Sequence, residues 1–104
     1  MEREELYRNP ELTLESLAEN LKVSSGYLSQ IINKTTGDNF SRFLNQYRVE
    51  DVKKMLLDSE FNKYSLVAIG YEAGFNSKST YYSAFKKMTS LTPKEYQRKV
   101  LIKQ

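Results

Sequence analysis

The chain is 104 residues long, with 39% hydrophobic and 28% charged side chains, which suits one globular domain or two very small lobes sharing a core. It has no Cys and no His, which excludes thiolate or imidazole catalysis, a Ser-His-Asp triad, disulfides, and Cys- or His-ligated metal centres. Sixteen basic against 13 acidic residues leave a net charge of +3, and no apolar run approaches the roughly 18–20 residues that cross a bilayer.

The N-terminus, MEREELYRN, is charged throughout and has no signal-peptide pattern, so a cytoplasmic setting is expected. Four Gly and two Pro favour helices joined by short turns. Glu2 to Arg8 reads as a short helix stopped by Asn9-Pro10, with Glu2, Glu4 and Glu5 favouring its N-terminal end electrostatically. Thr13 is a natural cap for a second helix, which carries Leu14, Leu17, Ala18 and Leu21 on one face. Ser24 caps a third through about Lys34, with Tyr27, Leu28, Ile31 and Ile32 as its apolar set. Gly37 suits the left-handed residue that follows a helix end.

The longest helical pattern runs from Phe40 to about Ser59. Phe40, Phe43, Leu44 and Tyr47 form one stripe, and Val52, Met55 and Leu56 form a second, rotated from the first by about 100°. A helix serving a single core keeps one stripe, so this one is expected to serve two lobes over roughly 30 Å. Ser65 caps a fifth helix with Leu66, Ile69 and Ala73 inward, and Gly74-Phe75 makes a turn. A sixth starts at Asn76 or Ser77, with Tyr81, Ala84, Phe85 and Met88 inward. Thr92 caps a seventh, whose first position, Pro93, needs no donor.

An internal repeat carries most of the functional information. Leu14, Leu17, Ala18, Leu21 and Val23 match Leu66, Ile69, Gly70, Ala73 and Phe75 at an offset of 52. Leu28, Ile32, Lys34, Thr36, Phe40 and Phe43 match Tyr81, Phe85, Lys87, Thr89, Pro93 and Tyr96 at an offset of 53, the extra residue falling in a turn. Ala18 and Gly70 put a small residue where two helices cross closely. Each half therefore has the outline of a helix-turn-helix. The expected architecture is all-α, with about seven helices in two homeodomain-like lobes, at about 1–39 and about 60–104, joined by a linking helix over about 40–59.

Charge and side-chain chemistry divide along the same line. Residues 1–60 carry eight basic and eleven acidic residues, whereas residues 61–104 carry eight basic against only Glu72 and Glu95. A basic lobe points to a polyanion, nucleic acid before membrane. The outward faces of the second helix in each pair are Ser25, Gly26, Ser29, Gln30 and Asn33 in one, and Lys78, Ser79, Tyr82, Ser83 and Lys86 in the other. Solvated faces usually mix Glu with Lys, and these hold no acid. Gln and Asn bond adenine, Lys reaches guanine or phosphate, and Ser reads loosely. Held about 30 Å apart, two such helices reach successive major grooves, one duplex turn being roughly 34 Å.

The segment GYEAGFNSKSTYYSAFKKMTSLTPKEYQR, residues 70–98, resembles the signature of the AraC/XylS transcriptional regulators. Leu17-Ala18, Val23-Ser24, Leu28, Gly37 and Phe40 through Tyr47-Arg48 extend the likeness over about residues 6–99. The resemblance implies a seven-helix DNA-binding domain of bacterial origin that regulates transcription, usually with a sensor or receiver domain upstream on the same polypeptide. It places Gly26, Ser29, Gln30 and Asn33, and Ser79, Tyr82, Ser83 and Lys86, on base-reading faces. Ser25, Lys34, Lys78, Lys87 and Lys94 fall near phosphates, with the capped helix start at Thr92, whose N–H groups suit an anion. The implied partner is double-stranded DNA, with RNA polymerase as a further one. Neither metal nor cofactor is implied.

Two departures stand out. Gln30 and Ser83 occupy positions where the family often has Arg, which reduces bidentate guanine reading and leaves more to DNA shape. Gly70 replaces a usual Ala, with an expected loosening of its helix by up to about 1 kcal/mol. Phe40, Phe43, Phe75, Phe85, Tyr81 and Tyr96 read as core, while Tyr27 and Tyr71 fit either packing or surface. Glu50, Asp51, Asp58 and Glu60 read as a solvated face of the linking helix, with contact to another domain or RNA polymerase as the alternative. Two rival classes remain: a protein-interaction module with a degenerate double helix-turn-helix, and a carboxylate enzyme built on Glu15, Glu19, Glu50 or Asp51. The second needs a cavity of several hundred cubic ångströms that two small lobes hardly supply.

Overall fold

Helices begin in this chain where a side-chain oxygen is available to their first free amides. The computed structural model describes residues 6–103. A 3₁₀ turn at Leu6–Arg8 is followed by α1 (Leu14–Leu21), α2 (Ser25–Thr36) and α3 (Phe40–Leu56). A second 3₁₀ turn at Ser59–Phe61 then leads to α4 (Leu66–Glu72), α5 (Lys78–Thr89) and α6 (Pro93–Lys103). Thr13, Ser24, Asn39, Ser65 and Ser77 each accept an amide of the following turn, as Thr92 does from Glu95 at 3.1 Å.

Two elements differ from expectation. Of the anticipated first helix, Glu2 to Glu5 lie outside the described residues, and Leu6–Arg8 form a 3₁₀ turn rather than α-helix. The linking helix α3 ends at Leu56, short of Ser59. Asp58 adopts an extended conformation and its carboxylate accepts the Glu60 amide, capping the second 3₁₀ turn instead of prolonging the helix. At 17 residues α3 spans roughly 25 Å.

The two stripes of α3 do serve two cores. Phe40 and Phe43 pack against Leu17, Ala18, Leu28 and Ile32. Val49, Val52, Met55 and Leu56 join Ile69, Ala73, Phe75, Tyr81, Ala84 and Phe85. Three residues anticipated as inward are exposed: Leu21, Ile31 and Met88. Tyr27 and Tyr71 are also on the surface. Leu21 and Ile31 correspond to Ala73 and Ala84, which are buried in the second core. Periodicity assigned them a face, but among the described residues nothing covers that side of the first lobe.

The repeat extends to individual hydrogen bonds. Val23 donates to the Ala18 carbonyl at 3.0 Å, and Phe75 to that of Gly70 at 3.1 Å. The Thr36 hydroxyl donates to Ile32 O at 2.7 Å, and that of Thr89 to Phe85 O at 2.8 Å. Positive φ recurs at matching positions with glycine exchanged: Lys22 (61°) opposite Gly74 (112°), and Gly37 (76°) opposite Ser90 (66°).

Gly70 corrects the expectation of a loosened helix. A Cβ there would lie 2.8 Å from Tyr81 Cγ and closer still to two other ring carbons. The Tyr81 hydroxyl donates to Leu66 O at 2.9 Å, which ties α5 to the start of α4, and burial pushes its phenol pKa up. The first lobe solves the same crossing with Ala18 and Leu28, the second with a smaller residue and a larger one.

The centre of α3 carries a polar clasp. Arg48, buried, donates from Nε to Tyr7 O at 2.6 Å and from Nη2 to Asn9 O at 2.9 Å. Asp51 is buried too, not part of a solvated acidic face, and accepts from Arg8 Nε at 2.6 Å and Nη2 at 2.9 Å. Tyr7 stacks on Tyr47 with centroids 5.6 Å apart. Gly74 seals the junction, since a Cβ there would come within 2.8 Å of Arg48 Nε and Arg8 Cα.

The substitution Gly70→Ala is expected to destabilise the chain by about 1–2 kcal/mol, because crowding of Tyr81 outweighs the gain in helix propensity. In a Tyr81→Leu background, which copies the first lobe, the same change should stabilise. Urea unfolding of the four chains measures both signs.

Candidate nucleic-acid interface

The outward faces of α2 and α5 follow from which side of each helix is buried. In α2, Leu28 and Ile32 are buried, so Gly26, Ser29, Gln30, Asn33 and Lys34 face outward and are exposed. Ser25 is half-buried beside the Ser24 cap, whose Oγ accepts the Tyr27 amide at 3.1 Å. In α5, burial of Tyr81, Ala84 and Phe85 turns Lys78, Ser79, Ser83, Lys86 and Lys87 outward. Tyr82 differs from the other proposed readers. It is half-buried, packed edge-on to Tyr81 at 5.2 Å, with Lys78 Nζ 5.5 Å from its ring centre.

Both helices are 12 residues long and neither contains an acidic residue. The acids Glu11, Glu15 and Glu19 belong to the segment around α1, which packs behind α2. Near-neutral hydrogen-bonding groups on α2 and three lysines on α5, Lys78, Lys86 and Lys87, are therefore available without internal neutralisation along their own helices.

The start of α6 is less open to an anion than its cap suggested. The Thr92 amide donates to Glu95 Oε1 at 2.9 Å while the Glu95 amide donates to Thr92 Oγ1 at 3.1 Å. These bonds from Thr92 hold the Glu95 carboxyl below its usual range. The chain thus places its own carboxylate where a phosphate was expected, beside the exposed Lys94.

A polar wall that the sequence did not single out faces α5. Arg42, Asn45 and Gln46 of α3 line a cleft of about 340 Å³ opposite Ser79, Ser83 and Lys87. The available signal was the Asp38/Arg42 spacing of four residues at a helix start. Asp38 lies 3.5 Å from Arg42 Nε and accepts from Gln46 Nε2 at 2.9 Å. The carboxylates considered for an enzyme are dispersed: Asp51 is paired with Arg8 and Glu50 with Lys53. Among the described residues no group of His, Cys, Asp or Glu is arranged to hold a metal ion, and no helix is long and apolar enough to cross a membrane.

The family profile described as "Helix-turn-helix domain" matches residues 17–99. The Bacillus subtilis transcriptional regulatory protein YesN is 34% identical over 93 residues, which cover 88% of this chain and 25% of that protein. Two solved structures superimpose with comparable agreement. The C-terminal domain of the two-component response regulator YesN from Fusobacterium nucleatum has a TM-score of 0.73 and 38% identity, covering 90% of this chain and 88% of that one. The C-terminal domain of AraT, a response regulator from Geobacillus stearothermophilus, has a TM-score of 0.78 and 32% identity, covering 90% and 75%. The chain belongs to the AraC-type helix-turn-helix family, the DNA-binding domains of bacterial transcriptional regulators. It spans between 12% and 50% of the length of the curated relatives it matches.

Replacing Glu95 by Gln retains a capping group and removes its charge. If the start of α6 meets phosphate beside Lys94, the variant binds duplex DNA severalfold more tightly at low salt, with the difference fading as salt rises. A fluorescence anisotropy titration across salt concentrations checks this. Unchanged affinity at every salt concentration would place that helix start away from the backbone.

Proposed function

We propose that the chain binds double-stranded DNA through both lobes on one face of the duplex and so controls transcription at specific sites. The observation that carries the reading is the duplicated helix-turn-helix, matched down to its caps, left-handed residues and helix lengths, on one continuous linking helix. The molecule is 45 Å along its longest axis, longer than one duplex turn of roughly 34 Å, which supports engagement of successive major grooves. In this reading Gly26, Ser29, Gln30 and Asn33 meet one set of base edges. Ser79, Ser83 and Lys86 meet the other, with Tyr82 contributing its accessible edge. Ser25, Lys34, Lys78, Lys87, Thr92 and Lys94 hold the backbone. In the same reading the lobes lie at about 1–39 and about 60–104, with the linking helix between them.

The printed names of the relatives support a wider setting. The two solved structures described above are C-terminal domains of response regulators, so a receiver domain preceding this one in the intact protein is part of the proposal. The exposed Glu50, Asp58 and Glu60 are the acidic groups of that set left to meet such a domain or RNA polymerase, Asp51 being enclosed. A pure protein-interaction module is less favoured, because the outward faces of α2 and α5 lack acids and α5 is rich in lysine.

Selection of bound duplexes from a random pool at moderate salt tests the two-lobe reading. Two sequence blocks about one turn apart are expected, while one block would mean that a single lobe reads bases. Gln30→Ala should change preference at one position at a cost of about 1–3 kcal/mol, and an equal loss on every sequence would remove it from base reading. Lys86→Ala should weaken binding and lower the salt dependence if that lysine meets phosphate.

A further inference from the structure

The cleft between α3 and α5 is walled by the linking helix on one side and by the second lobe on the other. The repeat maps Ser79, Ser83 and Lys87 onto Gly26, Gln30 and Lys34, and Ser79, Ser83 and Lys87 share this cleft with Arg42, Asn45 and Gln46 from the first half of α3. The cleft is therefore a product of joining the two lobes. Its lining is a ligand chemistry in itself. Arg42 and Lys87 bring a cation from each wall, and Asn45, Gln46, Ser79 and Ser83 add amide and hydroxyl donors.

Asp38 modifies one of those walls. Its carboxylate is largely enclosed, with 18% side-chain exposure, and holds Gln46 by a 2.9 Å hydrogen bond. Its distance to Arg42 is longer, 3.5 Å, and the Arg42 side chain is 60% exposed. With its arginine open to solvent and the charges 3.5 Å apart, the pair is weak enough for Arg42 to exchange it for another anion. A phosphodiester offers that anion with charge-assisted bonds, leaving the Asp38–Gln46 contact in place.

We propose that this cleft holds one sugar–phosphate strand of the duplex where it passes between the two reading helices, with Arg42 and Lys87 gripping it from opposite walls and Asp38 ceding Arg42 to the phosphate. The inference rests on the two-lobe DNA reading above and assigns to the linking helix a contact of its own. Asp38 keeps Arg42 neutralised in the free protein. Binding exchanges an internal carboxylate for a phosphate, which lowers the affinity this arginine gives to any DNA that does not reach into the cleft.

The test uses the 104-residue chain and a duplex recovered by selection, titrated across salt concentrations. Arg42→Gln should weaken binding roughly five-fold on all sequences alike and reduce the salt slope by about one. Asp38→Asn should tighten binding of the unaltered chain and change nothing in the Arg42→Gln background. A methylphosphonate between the two selected blocks should cost the unaltered chain affinity and cost the Arg42→Gln chain less. An unchanged slope for Arg42→Gln, with Gln30→Ala still shifting base preference, overturns the cleft contact and leaves the DNA reading standing. Failure of the unaltered chain to enrich any duplex overturns both. Circular dichroism melting of each variant, expected to match the unaltered chain, separates loss of contact from loss of fold.

Discussion

The arrangement of this molecule depends on a guanidinium placed halfway along its longest helix. Arg48 reaches the carbonyls of Tyr7 and Asn9 and lies 5.9 Å from the Phe75 ring centre. It therefore binds together the N-terminal segment, the linking helix and the turn after α4. Burial lowers its pKa to about 10, which leaves it charged at neutral pH, and the carbonyls supply acceptors where water is excluded. The adjacent Arg8–Asp51 pair repeats the link in the other direction, with the cation on the segment and the anion on α3. Removing Arg8 would leave the buried Asp51 carboxylate without this cation, so the segment behaves as part of the linking helix.

That junction fixes a rotation as well as a contact. A continuous helix turns about 100° per residue, so the angle between the stripe at Phe40 and Phe43 and the stripe at Val52, Met55 and Leu56 sets how the lobes face. The clasp sits between the stripes and resists a change in either. Reading helices on separate lobes need such a fixed relation if they are to meet the same side of a duplex.

The elements legible in the sequence were those governed by local chemistry: side-chain caps at Thr13, Ser24, Ser65, Ser77 and Thr92, the left-handed stop at Gly37, and the two stripes of α3. The repeat was legible because it preserves residue size and polarity at fixed spacing. Pairings between Arg48 and Tyr7, or Asp51 and Arg8, are separated by about forty residues and leave no periodic trace, so Asp51 looked like a solvated acid. Leu21 and Ile31 show the converse limit, since a helical period identifies a face without saying what lies opposite. Gly70 looked like a weakness until its neighbour was known to be the Tyr81 ring. For the candidate site, outward faces of α2 and α5 followed from their buried residues, whereas the Arg42 wall belongs to a meeting of two lobes that no single helix encodes.

The unequal cores give the halves unequal lifetimes. Among the described residues, four side chains are buried in the first cluster against ten in the second, and the exposed Leu21 and Ile31 add nothing to the smaller one. Local opening costs least where least apolar surface is enclosed. Amides of α1 and α2 should therefore exchange with solvent through excursions that leave α4 and α5 closed. On that expectation the domain has a more persistent half, rich in lysine, and a half whose helices are free to reopen and re-form against α3.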